Sequence, residues 1–307
     1  MIAFQPPEVG DKPWVDDCFR AAGNRGCEYS FATLFLWSDT FRQQVARMDD
    51  YVLERLCGRA GNGYLFPAGR GPLEPVLEAL EADAAERGEP CRLLCVTPEQ
   101  LERLEALRPG QYQCTPDRDG WDYLYEIGRL ADLGGKKLHS KRNHIHRFEE
   151  NCPDWAVEEI TVENLAECAE MDLEWNRLYR QERENGAETT QSRMDERHAM
   201  SKAFAHYDAL GLTGLLLRTG GRVVAFTMGS PIGADTFDIH FEKAYGEIQG
   251  AYAMINRAFA RWIRDHYPQV CYLNREDDMG LEGLRKAKES YYPDCMVEKY
   301  TLVRQMT

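Results

Sequence analysis

Apolar residues along the chain follow two spacings, and the switches between them mark out the elements. From Pro13 to Ala22 and from Tyr29 to Phe41 they recur at helical intervals, as in helices that bury one face. Gln44 to Leu56 and Gly63 to Pro67 read as strands, parted by the turn residues Gly58 to Gly63. A helix is expected from Pro72, with Val76, Leu77, Leu80 and Ala84 as its stripe, stopping at Arg87 and Gly88. Cys91 to Val96 reads as a buried strand and Pro98 opens a further helix through Leu107. A strand from Trp121 to Ile127 is expected to close this half.

After Gly134 and Gly135 the pattern changes abruptly. Lys136 to Phe148 holds five Lys or Arg and three of the seven His in thirteen residues, which places a hinge here. A strand from Trp155 to Ile160, a helix from Val162 to Arg183, a polar loop and a helix from Asp195 to Leu210 are expected next. Three antiparallel strands follow, Thr213 to Arg218, Arg222 to Ser230 and Thr236 to Lys243, with Gly220 and Gly221 at the first hairpin. A helix from Gly250 to His266 buries Ile255, Phe259, Trp262 and Ile263, and precedes a strand at Val270 to Asn274, a helix and a strand.

Composition sets the scale of this alternation. At 307 residues, 43% hydrophobic and 29% charged, the chain is an ordinary globular α/β sequence, long enough for two domains, expected at 1–130 and 131–307. The 51 acidic against 37 basic residues give a formal charge of -14, so the surface as a whole repels polyanions, and a phosphate-rich partner must find a local basic patch. The longest apolar runs, Leu215 to Leu217 and Val223 to Phe226, fall far short of the roughly 18 residues that cross a bilayer, and no export signal opens the chain. A soluble, cytoplasmic protein is expected. Ten cysteines without a C-x-x-C pair are read as reduced core thiols.

Three segments carry candidate chemistry. As a helix, Lys136 to Phe148 sets Lys137 and Lys141 one turn apart with Lys136 and Arg142 beside them, a cationic face suited to a tRNA acceptor end, a nucleotide or a lipid head group. In the strand from Phe237 to Lys243, strict alternation sends Asp238, His240 and Glu242 to one face, where His240 or Glu242 is a candidate general base for an amine nucleophile. A metal is not expected there, because neighbours on one strand face lie about 7 Å apart and no further ligand group stands out. In the run from Asn274 to Gly280 and the helix after it, Arg275, Arg285 and Lys288 are placed to hold a phosphate or a carbonyl oxyanion. Asn274, Asp238 and Asp278 are expected to face the substrate, Asp278 doubling as a helix cap, and Tyr291 or Tyr292 to protonate the leaving group.

The sequences GKKLHSKRNHIHRF at Gly135 to Phe148, FDIHFEKAYGEIQGAYAMINRAFARW at Phe237 to Trp262 and YLNREDDMGLEGLRKAKESYYP at Tyr272 to Pro293 resemble a known family. Its domain is shared with the C-terminal, aminoacyl-transferring part of bacterial phosphatidylglycerol lysyltransferases. The resemblance implies two tandem acyl-CoA N-acyltransferase (GNAT)-like domains, each a mixed, mostly antiparallel sheet flanked by helices, the first a degraded copy. It implies aminoacyl-tRNA as donor, an amine or hydroxyl acceptor such as a small molecule or lipid head group, and direct attack with no obligatory cofactor or covalent intermediate. By likeness to the peptidoglycan-bridge transferases, Lys288 is the nearest match to a late lysine that stabilises the oxyanion. One departure stands out. The loop that grips coenzyme A, Q/R-x-x-G-x-G/A, has no correctly spaced counterpart in Ala244 to Tyr252, although Gly250 and Ala251 still open a helix towards an anion. An acyl-CoA-dependent N-acyltransferase and a non-catalytic sensor of a phosphorylated small ligand are the competing expectations.

Overall fold

The computed structural model describes residues 1–58, 61–182 and 187–305. The chain opens with α1 (Lys12–Ala22) and α2 (Phe31–Phe41), followed by β1 (Gln44–Met48), β2 (Tyr51–Gly58), β3 (Gly61–Leu65) and β4 (Ala68–Gly69). Then come α3 (Glu74–Glu86), β5 (Arg92–Val96), α4 (Pro98–Leu107), β6 (Tyr112–Pro116), β7 (Asp122–Glu126) and α5 (Ile127–Asp132). The basic segment forms α6 (His139–Asn151), leading to β8 (Ala156–Glu159), α7 (Leu165–Glu182), α8 (Ala187–Ala205) and α9 (Tyr207–Leu210). The rest is β9 (Thr213–Thr219), β10 (Arg222–Ile232), β11 (Thr236–Ala244), α10 (Ala251–His266), β12 (Tyr272–Asn274), α11 (Glu282–Glu289), β13 (Cys295–Val297) and β14 (Tyr300–Arg304).

Local chemistry explains the main boundaries. Pro13 starts α1 and Gly23, at φ 67°, ends it. Thr97 and Gln100 form a reciprocal capping box on α4, and the Ser30 hydroxyl caps α2 through the Thr33 N–H. The strand expected over Gln44 to Leu56 is a hairpin, turned at Asp49 with φ 51°. Part of the expected polar loop, with the end of the helix at Arg183, lies outside the described residues; from Ala187 the chain is already helical.

Two mixed sheets result, ordered β1-β2-β3-β5-β14-β6 with β4 beside β2, and β13-β7-β12-β11-β10-β9-β8. Each contains one parallel pair, β3 with β5 and β11 with β12, and in each case a helix, α3 or α10, makes the crossover. That repeat identifies two tandem GNAT-like sheets flanked by helices. The halves are interlocked, however. β7 pairs with β12 and β13 in the second sheet, and β14 pairs with β5 and β6 in the first. The strand expected to close the first half therefore completes the other sheet. Alternation within a strand identifies its faces but not its partner, so this exchange could not be read from periodicity.

A single apolar core runs from Leu34 and Phe35 of α2 through Phe148 of α6 to Phe226 and Phe259, so it belongs to both halves. A smaller one, with Leu77, Leu80 and Leu104, lies under α3 and α4. All ten cysteines are free, but Cys114, Cys271 and Cys295 are exposed rather than core thiols.

Candidate active site

Strand β11 lies inside the second sheet and organises the site. Its register with β10 slips between Met228 and Gly229, leaving His240 as an extra residue. Gly229 is needed for this bulge, since a Cβ there would stand 1.9 Å from the Asp238 carbonyl oxygen. The bulge breaks the expected alternation. Asp238 and His240 meet Thr33 of α2, whereas Glu242 meets Asn256 of α10, the helix whose Phe259 packs on Phe237. The single polar row thus becomes two clusters.

In the first, Glu242 accepts from Arg275 Nη2 at 2.8 Å and from Asn256 Nδ2 at 2.9 Å. Each of these partners keeps a buried atom in reserve: Arg275 Nη1, a donor, and Asn256 Oδ1, an acceptor, have no hydrogen-bond partner among the described residues. The Arg275 guanidinium lies 4.9 Å from the centre of the Tyr291 ring, and the Lys141 ammonium 3.9 Å from it. Lys141 also donates to Ser290 Oγ at 2.6 Å. Its burial, with Arg275 nearby, brings its pKa down to about 8. Burial pushes the Tyr291 hydroxyl up, so it stays protonated.

In the second cluster the His240 ring is fully enclosed. Nε2 lies 2.8 Å from Ser230 Oγ; Nδ1 faces Asp238 Oδ2 at 3.4 Å and Glu276 Oε1 at 3.5 Å. Both ring nitrogens are therefore engaged. Burial, with Glu276 close by, pushes the Asp238 carboxyl well above the usual carboxylate range. Ser230 also lines a cavity of about 240 Å³ at the seam between the halves, with Phe19, Ser30, Phe31 and Ile232.

Other expected site residues are spent on the fold. Lys288 is buried and Lys286 exposed, and the Lys288 ammonium donates to the carbonyls of Arg275 at 2.5 Å and of Asp277, holding the loop that presents Arg275. Burial lowers its pKa. Arg285 grips Asp278 and reaches Asp119 at 2.7 Å. Asp278 also accepts from Tyr123 and the Gly280 N–H; against the upward push of burial these partners hold its pKa at about 2. Asn274 donates to Asp122 and to the Arg25 carbonyl. Asp122 and Glu28 share the buried Lys299 ammonium at 2.6 and 2.5 Å.

Of the basic segment, Lys141 points into the site and Lys137 lies over the Tyr292 ring, 5.2 Å from its centre. Arg142 donates to the carbonyls of Leu133 and Gly135, and Lys136 is exposed. The start of α10 is covered. A Cβ at Gly250 would stand 2.1 Å from the His144 carbonyl oxygen of α6, and Ala251 is buried, so this pair serves close helix packing. Asn256 and Glu276 were missed. A lone Asn among the apolar positions of α10 was the available signal for the first; nothing local marks Glu276, whose φ of 56° turns it towards His240.

The comparisons with known proteins agree with this architecture. The closely superposing structure of a conserved protein of unknown function from Bacteroides thetaiotaomicron is 37% identical, with a TM-score of 0.91, over 99% of this chain and 100% of that one. L-PGS from Bacillus licheniformis has the same fold at 15% identity, with a TM-score of 0.67 over 100% of this chain and 95% of that one. An uncharacterized protein from Mycoplasmoides gallisepticum is 25% identical over 184 residues, 58% of this chain and about half, 54%, of that relative. Among the described residues no helix is long and apolar enough to cross a membrane. The profile of the phosphatidylglycerol lysyltransferase C-terminal family matches residues 19–303, and with nearly the whole chain inside it, the protein belongs to that family.

Proposed function

We propose that the protein transfers an aminoacyl group from a charged tRNA to an amine or hydroxyl acceptor, and that the Glu242 cluster grips the aminoacyl group. The observation that carries this reading is the pair of reserved atoms, Asn256 Oδ1 and Arg275 Nη1, on the two groups that Glu242 holds. An aminoacyl ester offers what they lack: an ammonium to donate to the amide oxygen and a carbonyl oxygen to accept from the guanidinium. Buried polar atoms are costly when unmatched, so a ligand of this complementarity gains from them.

The chemistry follows from the same contacts. Attack on the ester carbonyl builds negative charge on its oxygen, and Arg275 Nη1, fixed by Glu242 and packed on Tyr291, is a preorganised donor for it. Glu242 is the carboxylate nearest the reacting centre and keeps the base role, while His240, engaged at both nitrogens, stands behind β11. Lys141 and Lys137 flank the tyrosines beside the site and suit the phosphates of an acceptor stem. The covered start of α10 weighs against coenzyme A at that position.

The test is transfer of labelled amino acid from a panel of charged tRNAs to a lipid extract and to small amines, with acetyl-CoA and longer acyl-CoA in parallel. Activity with charged tRNA that falls about a hundredfold in Arg275→Gln and Asn256→Leu supports the proposal. Transfer from acyl-CoA alone, or binding of a phosphorylated small molecule without turnover, overturns it.

A further inference from the structure

Two buried groups of potential ligand atoms lie along the seam: Cys27, Glu28 and Asp122, and Asp238, His240 and Glu276. The first already holds a cation, the Lys299 ammonium, whose neighbours are Glu28, Asp122 and the Cys27 sulfur at 3.6 Å. The second brings two carboxylates and an imidazole together, and among the described residues no ammonium or guanidinium is in their hydrogen bonds and ion pairs. Asp238 is fully buried and its Oδ1 has no partner; Glu276 Oε1, the oxygen turned to His240, has no hydrogen-bond partner either. Buried carboxyl oxygens facing one another with the Thr33 hydroxyl as their donor call for a proton or a cation to offset them.

We propose that Asp238, His240 and Glu276, with the Thr33 hydroxyl at the fourth corner, bind a divalent first-row cation, zinc foremost. Four of the six edges among these atoms have the length a tetrahedral site requires. Ligands at about 2.0 to 2.2 Å from zinc stand about 3.3 to 3.6 Å from one another. Here Thr33 Oγ1 lies 3.4 Å from Asp238 Oδ2 and 3.5 Å from His240 Nδ1. His240 Nδ1 lies 3.4 Å from Asp238 Oδ2 and 3.5 Å from Glu276 Oε1. With Nδ1 on the metal, Nε2 carries the proton and donates to Ser230 Oγ at 2.8 Å, the outer hydrogen bond that fixes a ligating imidazole. The cation ties α2 of the first half to β11 and to Glu276, next to Arg275, so it fixes the guanidinium without touching the substrate. The metal site goes beyond the transfer reaction and does not depend on it.

Cobalt substitution of the full-length protein tests the assignment, because the ten cysteines are a competing sink for metal. Chelator-treated protein titrated with Co(II) should take up one equivalent with visible bands of tetrahedral intensity and no near-ultraviolet thiolate charge-transfer band. Zinc should displace it and raise Tm. Glu276→Gln, at a partly exposed position, and Asp238→Asn should each weaken this uptake roughly a hundredfold or more, and Ser230→Ala about ten- to a hundredfold. Chelated Glu276→Gln should melt like the chelated wild type, which separates metal loss from misfolding. Wild type that binds no more cobalt than Glu276→Gln, or a spectrum dominated by thiolate ligation, overturns the proposal. Metal uptake in a protein that transfers nothing would sink the proposed function and leave the site standing.

Discussion

The Lys299 and Glu242 clusters are built from the same parts, a buried cation among carboxylate and amide groups, yet they use the cation differently. Around Lys299 the ammonium is used by Glu28, Asp122 and Cys27, and Asp122 also accepts from Asn274 and from the Cys27 N–H. Burial alone would lower the Lys299 pKa, but Asp122, Cys27 and Glu28 hold it well above the ordinary range. Around Glu242 each carboxylate oxygen holds one partner, and among the described residues those partners each retain an atom without a hydrogen bond. The first cluster spends its charge on joining residues 27, 122 and 299, far apart in sequence, and leaves the buried Glu28 Oε2 without a hydrogen-bond partner among the described residues. The second is left incomplete by the fold, and only something from outside completes it.

The sharpest way to break this contrast is Lys299→Met. Removing the cation leaves two carboxylates facing each other in the core, and a loss of about 3 to 5 kcal/mol in chemical denaturation is expected. A loss below about 1 kcal/mol would mean that the cluster is not a closed structural unit. Asn256→Leu and Arg275→Gln should do the reverse, costing about a hundredfold in transfer, or roughly 2.7 kcal/mol of transition-state binding, with a smaller change in Tm. If either lowers stability as much as Lys299→Met, the Glu242 cluster is scaffolding as well.

Lys288→Ala falls between these extremes. Because its ammonium ties two loop carbonyls, the variant should lose about 1 to 3 kcal/mol of stability along with rate, instead of rate alone. A variant with wild-type Tm and no turnover would restore a direct role for Lys288 at the carbonyl. The smallest effect is expected from Lys141→Met. A lysine whose pKa is about 8 folded and about 10.4 unfolded costs stability while charged, and the cost is relieved as pH rises from 8 towards 10.4. The variant should therefore melt about 2 to 4 °C above wild type at pH 7, with the gap closing near pH 10. A gap that does not depend on pH would place Lys141 in solvent.

Much of this was legible in the sequence for identifiable reasons. Helical spacing located α1, α2, α3, α4 and α10, and the order of elements together with three motifs pointed to the tandem fold. The polar residues Asp238, His240 and Glu242 singled out β11 as a strand to watch. What failed depends on neighbours distant in sequence. The bulge that sends Glu242 to α10 is a relation between β10 and β11, set where Gly229 meets the Asp238 backbone. Glu276 reaches His240 only because its backbone turns at positive φ. The expectation of no metal rested on distances along one strand, and the loop residue Glu276, which the proposed site adds, lies outside that argument.

The reciprocal exchange of β7 and β14 also sets the order in which the protein can be made. During synthesis at about 5 to 20 residues per second, the gap between β5 and β6 stays unfilled for roughly 10 to 40 s, until Arg304 has been added. Until then the nascent first sheet presents two unpaired strand edges, while β7 waits for β12 and β13. Because β13 precedes β14, the strands of the second sheet are all made first, and the slot between β5 and β6 is the last position in either sheet to be filled.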